Sequence, residues 1–217
     1  MKIPVVGFGA SGHARVVIDA LLLSGNYNLI GLLDPNPKLK GQEILGVPVL
    51  GGDDLLSSLH DEGVRHFFMG IGGTLDMRTR IRVFQDAVAK GFEPLSVFHP
   101  TSVTAASASL GKGVTVMALA VINPGARVGD NVILNTGCIV EHDCQVGDHV
   151  HVSPGACLAG GVVVGSHACI GANSVIREGV RIGDGTVVGA GAAVVKDVPA
   201  GVVVAGVPAR ILRSLGL

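Results

Sequence analysis

The stretch that decides the fold is residues 110–134, "LGKGVTVMALAVINPGARVGDNVIL", in which an aliphatic residue returns at every sixth position. No single helix or simple hairpin has a six-residue period, whereas a prism of stacked 18-residue coils does. In such a prism each hexapeptide forms one flat side, the aliphatic residue points inward, and glycines suit the corners. The phase holds over fifteen positions: Leu110, Val116, Ile122, Val128, Leu134, Val140, Val146, Val152, Leu158, Val164, Ile170, Ile176, Ile182, Val188 and Val194.

The preceding hundred residues have a different pattern, in which strand-like and helix-like runs alternate. "KIPVVGFG", "YNLIGLLD" and "RHFFMGIG" are short apolar strands. "HARVVIDALLLSG" and "LDMRTRIRVFQDAVAKG" have helical spacing and end at Gly25 and Gly91. Alternating strands and helices indicate a parallel sheet covered by helices. We therefore predict two domains, a Rossmann-like α/β domain over residues 1–98 and a parallel β-helix over 99–217.

Composition excludes several classes of function. The net charge of the 217 residues is −1, so the composition gives no indication of the basic surface that a nucleic-acid-binding protein would need. The apolar runs are too short to span a membrane, and the first residues lack the features of a cleavable signal, so we expect a cytoplasmic protein. The four cysteines form no C-x-x-C pair and are expected to be small buried residues.

"GFGASG", residues 7–12, matches G-x-G-x-x-G between a strand and a helix, and Asp34 follows the next strand. Such a loop presents N–H groups and a helix N-terminus to a phosphate, but the motif does not say which phosphate. An NAD enzyme would need a second mononucleotide half and a substrate domain, for which about 95 residues leave too little room. The remaining alternative is that the glycines serve packing alone.

A second cluster, "VEHDCQVGDHVHVSPG" at residues 140–155, concentrates histidines and carboxylates in a weakly charged region. His149 and His167 are 18 residues apart, so they should stack on adjacent coils. No third ligand accompanies them, so we expect no metal and interpret both as solvated side chains. His142 lies outside the prism near a corner, where an imidazole can act as a general base. From the sequence, Glu141 and Asp143 are equally placed to orient it.

Residues 133–160, "ILNTGCIVEHDCQVGDHVHVSPGACLAG", together with "GASGHARV" and the closing "VVAGVPARILRSLGL", resemble the hexapeptide-repeat acyltransferases. The resemblance is to the branch of nucleotide-amino-sugar N-acetyltransferases and sialic acid O-acetyltransferase-like proteins. It implies that the prism is a left-handed parallel β-helix, and the hand comes from the resemblance alone. It also implies acetyl-CoA as cosubstrate and a homotrimer with active sites between neighbouring prisms.

The resemblance also implies site residues. His142 is the expected base, Asp143 its partner, and Gly160 the donor of a backbone N–H to the thioester oxygen. We expect contacts with the nucleotide sugar from Gly9, Ser11, Gly12, His13, Asp34, Asn36, Asn123, Asn135 and His151. We expect contacts with coenzyme A from Gly160, Ala172, Ala190, Lys196 and Arg210, although the closing segment could equally serve only to cap the prism.

The function predicted is acetyl transfer from acetyl-CoA to an amino group, at C4 of a nucleotide-linked amino-deoxy sugar, for bacterial surface glycan synthesis. The amine would attack the thioester directly, with His142 removing its proton. GDP, UDP and dTDP remain open as carriers. O-acetylation of a sugar or sialic acid is an alternative that would use the same base, and a non-catalytic nucleotide-binding scaffold is an alternative of another class.

Overall fold

The computed structural model describes residues 2–73 and 77–216. The chain separates into two compact units, Met1–Pro100 and Thr101–Leu217. Among the described residues, no helix is both long and apolar enough to cross a bilayer.

The first unit is a twisted sheet with helices. Four of its strand pairings are parallel and β3–β4 is an antiparallel hairpin, in the order β3-β4-β2-β1-β5-β6. This confirms the predicted parallel sheet, while the hairpin is an addition that the pattern did not predict. The elements are β1 Ile3–Phe8, α1 Gly12–Ser24, β2 Tyr27–Leu33, β3 Glu43–Ile44, β4 Val47–Gly51, a 3-10 turn Asp53–Leu55, α2 Leu56–Asp61, β5 His66–Met69, α3 Arg78–Ala89, β6 Glu93–Pro94 and β7 Val97–Phe98.

The two helices expected from the sequence are α1 and α3. Helix α1 buries Ala14, Val17, Ile18 and Leu21 at helical spacing and ends at Gly25, whose φ of 70° is the left-handed conformation of a C-cap. Helix α3 is followed by a glycine at φ 85°, as predicted. The predicted start of that helix, residues 75–76, lies outside the described residues.

The second unit is a prism of two-residue strands. They are β8 Val103–Thr104, β9 Ser109–Leu110, β10 Thr115–Val116, β11 Val121–Ile122, β12 Arg127–Val128, β13 Ile133–Leu134, β14 Ile139–Val140, β15 Gln145–Val146, β16 His151–Val152, β17 Cys157–Leu158, β18 Val163–Val164, β19 Cys169–Ile170, β20 Val175–Ile176, β21 Arg181–Ile182, β22 Val187–Val188 and β23 Ala193–Val194, followed by β24 Val202–Gly206 and β25 Ala209–Ser214.

Every third strand pairs in parallel with its neighbour 18 residues away, so the strands form three faces. The first face contains β10, β13, β16, β19 and β22, and the hairpin β24–β25 extends it. The second face contains β8, β11, β14, β17, β20 and β23, and the third contains β9, β12, β15, β18 and β21. The predicted 18-residue coil is confirmed, and the structure is a left-handed parallel β-helix.

The aliphatic series forms the interior of the prism. From Val116 to Val194 each member is at most 5% exposed, and the small residues four places later fill the space between them. Burying one such side chain contributes about 1.5–3 kcal/mol, so these ladders drive the coiling. Leu110, the first of the series, is only half-buried.

The corners require a left-handed residue at every sixth position. Glycine occupies many of these positions, and the remainder are Leu119, Asn131, Asp143, His149, His167 and Asn173, with φ between 54° and 64°. Asp and Asn tolerate this conformation better than most residues. The corners are therefore where polar side chains enter an otherwise aliphatic repeat.

Candidate active site

The predicted residues of the prism lie at two of its corners. The histidine corner, between the second and third faces, comprises residues 123–126, 141–144, 159–162 and 177–180. The asparagine corner, between the first and second faces, comprises residues 135–138, 153–156 and 171–174, and continues to 189–192.

His142 lies at the histidine corner with its ring in solvent. Its Nδ1 is 3.0 Å from Oδ2 of Asp143. Glu141 instead accepts the backbone N–H of His142, at 3.2 Å. The alternative that the sequence left open is thus decided geometrically, because the carboxylate that meets the imidazole belongs to Asp143. In the neutral ring, Nδ1–H donates to Asp143 and Nε2 carries the free lone pair.

The carboxylates around His142 strengthen it as a base. The hydrogen bond to Asp143 is the largest effect and raises the pKa of His142 above its ordinary value. Desolvation, the next largest, opposes it, and the charges of Asp143, Glu141 and Glu178 raise the pKa further. A raised pKa favours the imidazolium that forms when the ring accepts a proton.

Replacing Asp143 by asparagine should shift the pH dependence of kcat/KM. His142 must be neutral to accept a proton, so activity rises as pH increases through its pKa, together with that of the acceptor amine. Removing the carboxylate removes the main cause of the raised pKa. The rising limb should therefore move to lower pH, as measured by kcat/KM from pH 5 to 9.

Asparagine tolerates the left-handed corner that Asp143 occupies at φ 60°, so D143N should fold normally. E141Q is the matched control, because it removes a neighbouring charge that contacts the backbone and not the ring. It should give a smaller shift in the same direction. A profile of D143N that coincides with that of the wild type would contradict the pairing.

Gly160 lies one coil beyond His142, next to the part of the ring that carries Nε2. A β-carbon built on Gly160 would be 2.6 Å from Nε2 and 2.7 Å from Cε1 of His142. Within the described part of the chain, the Gly160 N–H makes no hydrogen bond. The structure thus brings a basic nitrogen and an unused backbone donor together, as two of the sequence predictions require.

Sequence reasoning missed Glu178, which lies in the same column of the histidine corner. Its charge contributes to the raised pKa of His142. The spacing contains the signal, since residue 178 follows residue 142 by two coils of 18.

Asn123 and Lys196 also belong to this side of the prism, where Asn123 is half-buried and Lys196 is exposed.

The asparagine corner carries the other predicted contacts. Asn135 Nδ2 lies 3.1 Å from Nε2 of His151, which is 6% exposed on the first face. Ala172 and Ala190 follow on the same corner at a spacing of 18. Arg210 is exposed on β25, where its Nη1 donates to the carbonyl oxygen of Ala209.

A single prism therefore does not assemble all the predicted residues at one place. His142, Asp143 and Gly160 lie at one edge of the second face, and Asn135, Ala172 and Ala190 lie at its other edge. The chain carries two half-sites separated by one face.

The interpretation of His149 as a solvated side chain is wrong. The ring does stack on that of His167 as predicted, with centroids 5.3 Å apart and planes 6° from parallel. However, His149 is only 9% exposed, and its Nδ1 lies 3.0 Å from Nδ2 of the fully buried Asn131. His167 is exposed, as expected. Among the described residues, no three His, Cys, Asp or Glu side chains converge as a metal site would require.

The cysteines follow the expectation with one difference. Cys138 and Cys144 point into the core, and burial raises their pKa values to about 12 and about 11. Cys169 is 6% exposed on the first face, whereas Cys157 is half-buried on the second. At neutral pH the two core thiols are protonated and enclosed, which makes them poor nucleophiles.

The glycine loop follows β1 in the first unit. Gly9 has φ 89°, and a β-carbon on it would lie 3.1 Å from the Ile71 backbone nitrogen, so only glycine fits. Ser11 is the N-cap of α1 but makes no side-chain cap hydrogen bond. A β-carbon on Gly12 would meet no atom within 4 Å, and His13 follows it, half-buried.

Asp34 connects this loop to a neighbouring cleft. One carboxylate oxygen accepts the N–H of Ala10 at 2.9 Å, and the other accepts the N–H of Asn36 at 2.9 Å. The cleft has a volume of about 430 Å3 and is lined by Asp34, Asn36, Lys40, Asp53 and Asp54, among others. Sequence reasoning missed Asp53 and Asp54, which come from the unpredicted segment after β4.

Both units are similar to known protein families. Residues 5–87 match the PglD N-terminal domain, and residues 126–160, 143–177 and 161–196 match the bacterial transferase hexapeptide of six repeats. The perosamine N-acetyltransferase from Caulobacter crescentus is 40% identical, with 97% of each chain covered and a TM-score of 0.92. This chain belongs to that family of hexapeptide-repeat N-acetyltransferases. The protein is accordingly an acetyl-CoA-dependent acyltransferase.

Other members of the family are also similar over their full length. The acetyltransferase domain of PglB from Neisseria gonorrhoeae, solved with acetyl coenzyme A, is 36% identical over 98% of this chain and 100% of that chain, with a TM-score of 0.90. WeeI from Acinetobacter baumannii is 29% identical over 98% and 100%, with a TM-score of 0.79. No curated protein sequence gives a significant match.

Proposed function

We propose that this N-acetyltransferase transfers the acetyl group of acetyl-CoA to the C4 amino group of a GDP-linked amino-deoxy sugar such as GDP-perosamine. The observation that carries the chemistry is the closeness of Nε2 of His142 to Gly160, where an added β-carbon would lie 2.6 Å from that nitrogen and where the backbone N–H makes no hydrogen bond among the described residues. The sugar nucleotide is inferred from the Caulobacter crescentus enzyme, which was solved with CoA and GDP-perosamine. The histidine role agrees with variants of that enzyme in which one histidine is replaced by asparagine or alanine.

The arrangement supports direct attack of the amine on the thioester. The amine nitrogen bonds to the acetyl carbon while Nε2 of His142 accepts its proton, and the carbonyl oxygen becomes an oxyanion. The Gly160 N–H donates to that oxygen, which is stabilisation by a donor already in place. When the intermediate collapses, the C–S bond breaks and the imidazolium returns the proton to the CoA thiolate. Asp143 holds the ring in the required tautomer.

No covalent acyl-enzyme is needed in this scheme. The two core cysteines are protonated at neutral pH, and the four segments of the histidine corner contain no serine, no threonine and no cysteine other than Cys144.

The remaining predicted residues are assigned by position. Gly9, Ser11, Gly12 and His13 are proposed to surround the diphosphate, and Asp34 and Asn36 the ribose or base. Asn123, Asn135 and His151 are proposed contacts of the sugar. Gly160, Ala172, Ala190, Lys196 and Arg210 are proposed to line the path of coenzyme A.

The two half-sites support a homotrimer. The second face, which separates them, has an apolar outer surface, with Val103 and Val175 60% and 51% exposed. The third face instead exposes Arg127, Gln145 and Arg181. If copies pack through the second face, the histidine corner of one prism meets the asparagine corner of its neighbour, and the site becomes complete. Sedimentation equilibrium measures the predicted threefold mass.

We propose the cytoplasm as the location, where acetyl-CoA is available.

The test is thiol release from acetyl-CoA with a panel of acceptors: GDP-, UDP- and dTDP-linked 4-amino sugars, and a sialic acid as hydroxyl acceptor. We expect kcat/KM for the GDP-linked amine to exceed that for the other carriers by about ten-fold or more, since a site that forms hydrogen bonds with one base discriminates against a base that lacks the matching groups. Faster release with the sialic acid would indicate the O-acetyltransferase. No release with any acceptor would favour the non-catalytic scaffold.

A further inference from the structure

A buried cation in the first unit has no role in the function described so far. Arg80 of α3 is 0% exposed, and no carboxylate of the described residues influences it electrostatically. Its Nη1 donates to the carbonyl oxygens of Met69, at 3.5 Å, and Ile71. Its Nε and Nη2 have no hydrogen-bond partner among the described residues. A buried charge without a counter-ion is costly, so its retention requires a compensating interaction.

The segment that Arg80 holds lies directly behind the glycine loop. A β-carbon on Gly70 would lie 2.8 Å from Cβ of Ala14 and 2.9 Å from the carbonyl oxygen of Phe8. A β-carbon on Gly72 would lie 3.3 Å from Cβ of His13. Residues 70–72 therefore pack without clearance against the loop and the first turn of α1, and Arg80 is separated from the loop by this one layer.

We propose that Arg80 is a positioning residue for the diphosphate of the sugar nucleotide. It fixes residues 70–72, against which the glycine loop is shaped, and it supplies a positive charge, without a counter-ion among the described residues, behind the N–H groups of that loop. Water screens such a charge weakly in the interior, so an anion bound at the loop experiences it. The anion in turn compensates the guanidinium. This inference rests on the proposed function, since it assigns the loop to a diphosphate.

Burial lowers the pKa of Arg80 to about 9, so the guanidinium is still charged at neutral pH. The charge, and not only the shape of the side chain, is therefore available in the range where the enzyme works.

The experiment compares ligands with and without the diphosphate. Dissociation constants of GDP, guanosine and inorganic pyrophosphate are measured on the full chain for the wild type, R80Q and R80K. We expect R80Q to raise the dissociation constant of GDP about ten-fold, or about 1.4 kcal/mol, and to change that of guanosine less than two-fold. The dissociation constant of pyrophosphate should rise by a similar factor. R80K should recover most of the lost affinity for GDP and pyrophosphate, because lysine restores the positive charge.

R82Q is the matched control. Arg82 lies on the same helix, but it is exposed and its Nη1 pairs with Asp86 at 3.1 Å. Its replacement removes the same charge from solvent and should leave the GDP constant unchanged. Coenzyme A affinity should be unaltered in all variants, and if R80Q is insoluble, R80M provides the neutral side chain.

Two results would overturn the inference. An R80Q protein that binds GDP as the wild type does would show that Arg80 is irrelevant to the site. Equal losses for GDP and guanosine that R80K does not rescue would reduce it to a structural residue. If the wild type binds pyrophosphate, dependent on Arg80, but not GDP, then the inference holds and the proposed sugar nucleotide is wrong.

Discussion

Replacing His142 by asparagine is expected to lower kcat by about two to four orders of magnitude, the usual contribution of a general base. Asparagine can form hydrogen bonds at this position, but it cannot accept the proton of the attacking amine. The side chain is exposed and its hydrogen bonds are local, so the thermal stability of the protein should change little. The measurement is steady-state thiol release, with Tm determined on the same preparations.

His167→Asn is the control for H142N. His167 is also an exposed histidine at a left-handed corner, but it lies at the corner between the third and first faces. Its replacement should leave kcat within about two-fold, because a surface substitution away from the site has a small effect. Near-normal turnover of H142N, with the protein folded, would exclude His142 as the base.

Replacing Gly160 by alanine is expected to lower kcat/KM by about two orders of magnitude, because alanine keeps the backbone N–H but displaces the general base, whose contribution is about that size. The added methyl would lie 2.6 Å from Nε2 of His142, which is so close that the exposed ring has to shift. The ring must therefore turn away from the position in which it meets the amine. Backbone strain is not the cause, since Gly160 is not among the residues with positive φ. The measurement combines kcat/KM with coenzyme A affinity.

The neighbouring glycine provides the control. Gly161 has φ 64°, and a β-carbon there meets nothing within 4 Å. Asparagine occupies equivalent corners at Asn131 and Asn173, so Gly161→Asn should fold and retain activity. If G160A and G161N were equally active, Gly160 would have no part in the reaction.

Much of the second unit could be predicted from the sequence because its period is simple. One aliphatic residue in six, held in phase, leaves few ways to bury the apolar surface, and the 18-residue coil and the stacking of His149 on His167 follow from it. The hairpin β3–β4 was missed because its strands have two and five residues, too short to show an alternation. The acidic side of the cleft, Asp53 and Asp54, was missed with it.

The candidate site was also predictable only in part. Spacing and resemblance selected His142, Asp143 and Gly160, and all three meet at one corner. The burial of His149 was not predictable, because a repeat fixes the column of a residue but not which columns are covered. Arg80 gave no signal either, since an arginine in an amphipathic helix is usually solvated, and only the packing around it shows that it is enclosed.

The sequence by itself determined the coil, its inward ladders and the choice of candidate base, since these depend on periodicity and on local residue types. The tertiary structure decided that Asp143 and not Glu141 meets the imidazole, that Asp34 holds the glycine loop, and that the prism residues fall on two corners. Asp34 and the glycine loop are remote in sequence, as are the residues that share a corner. Glu141 and Asp143 both adjoin His142 and differ only in the direction in which their side chains point. A one-dimensional pattern does not contain such directions, because they arise only when the chain closes on itself.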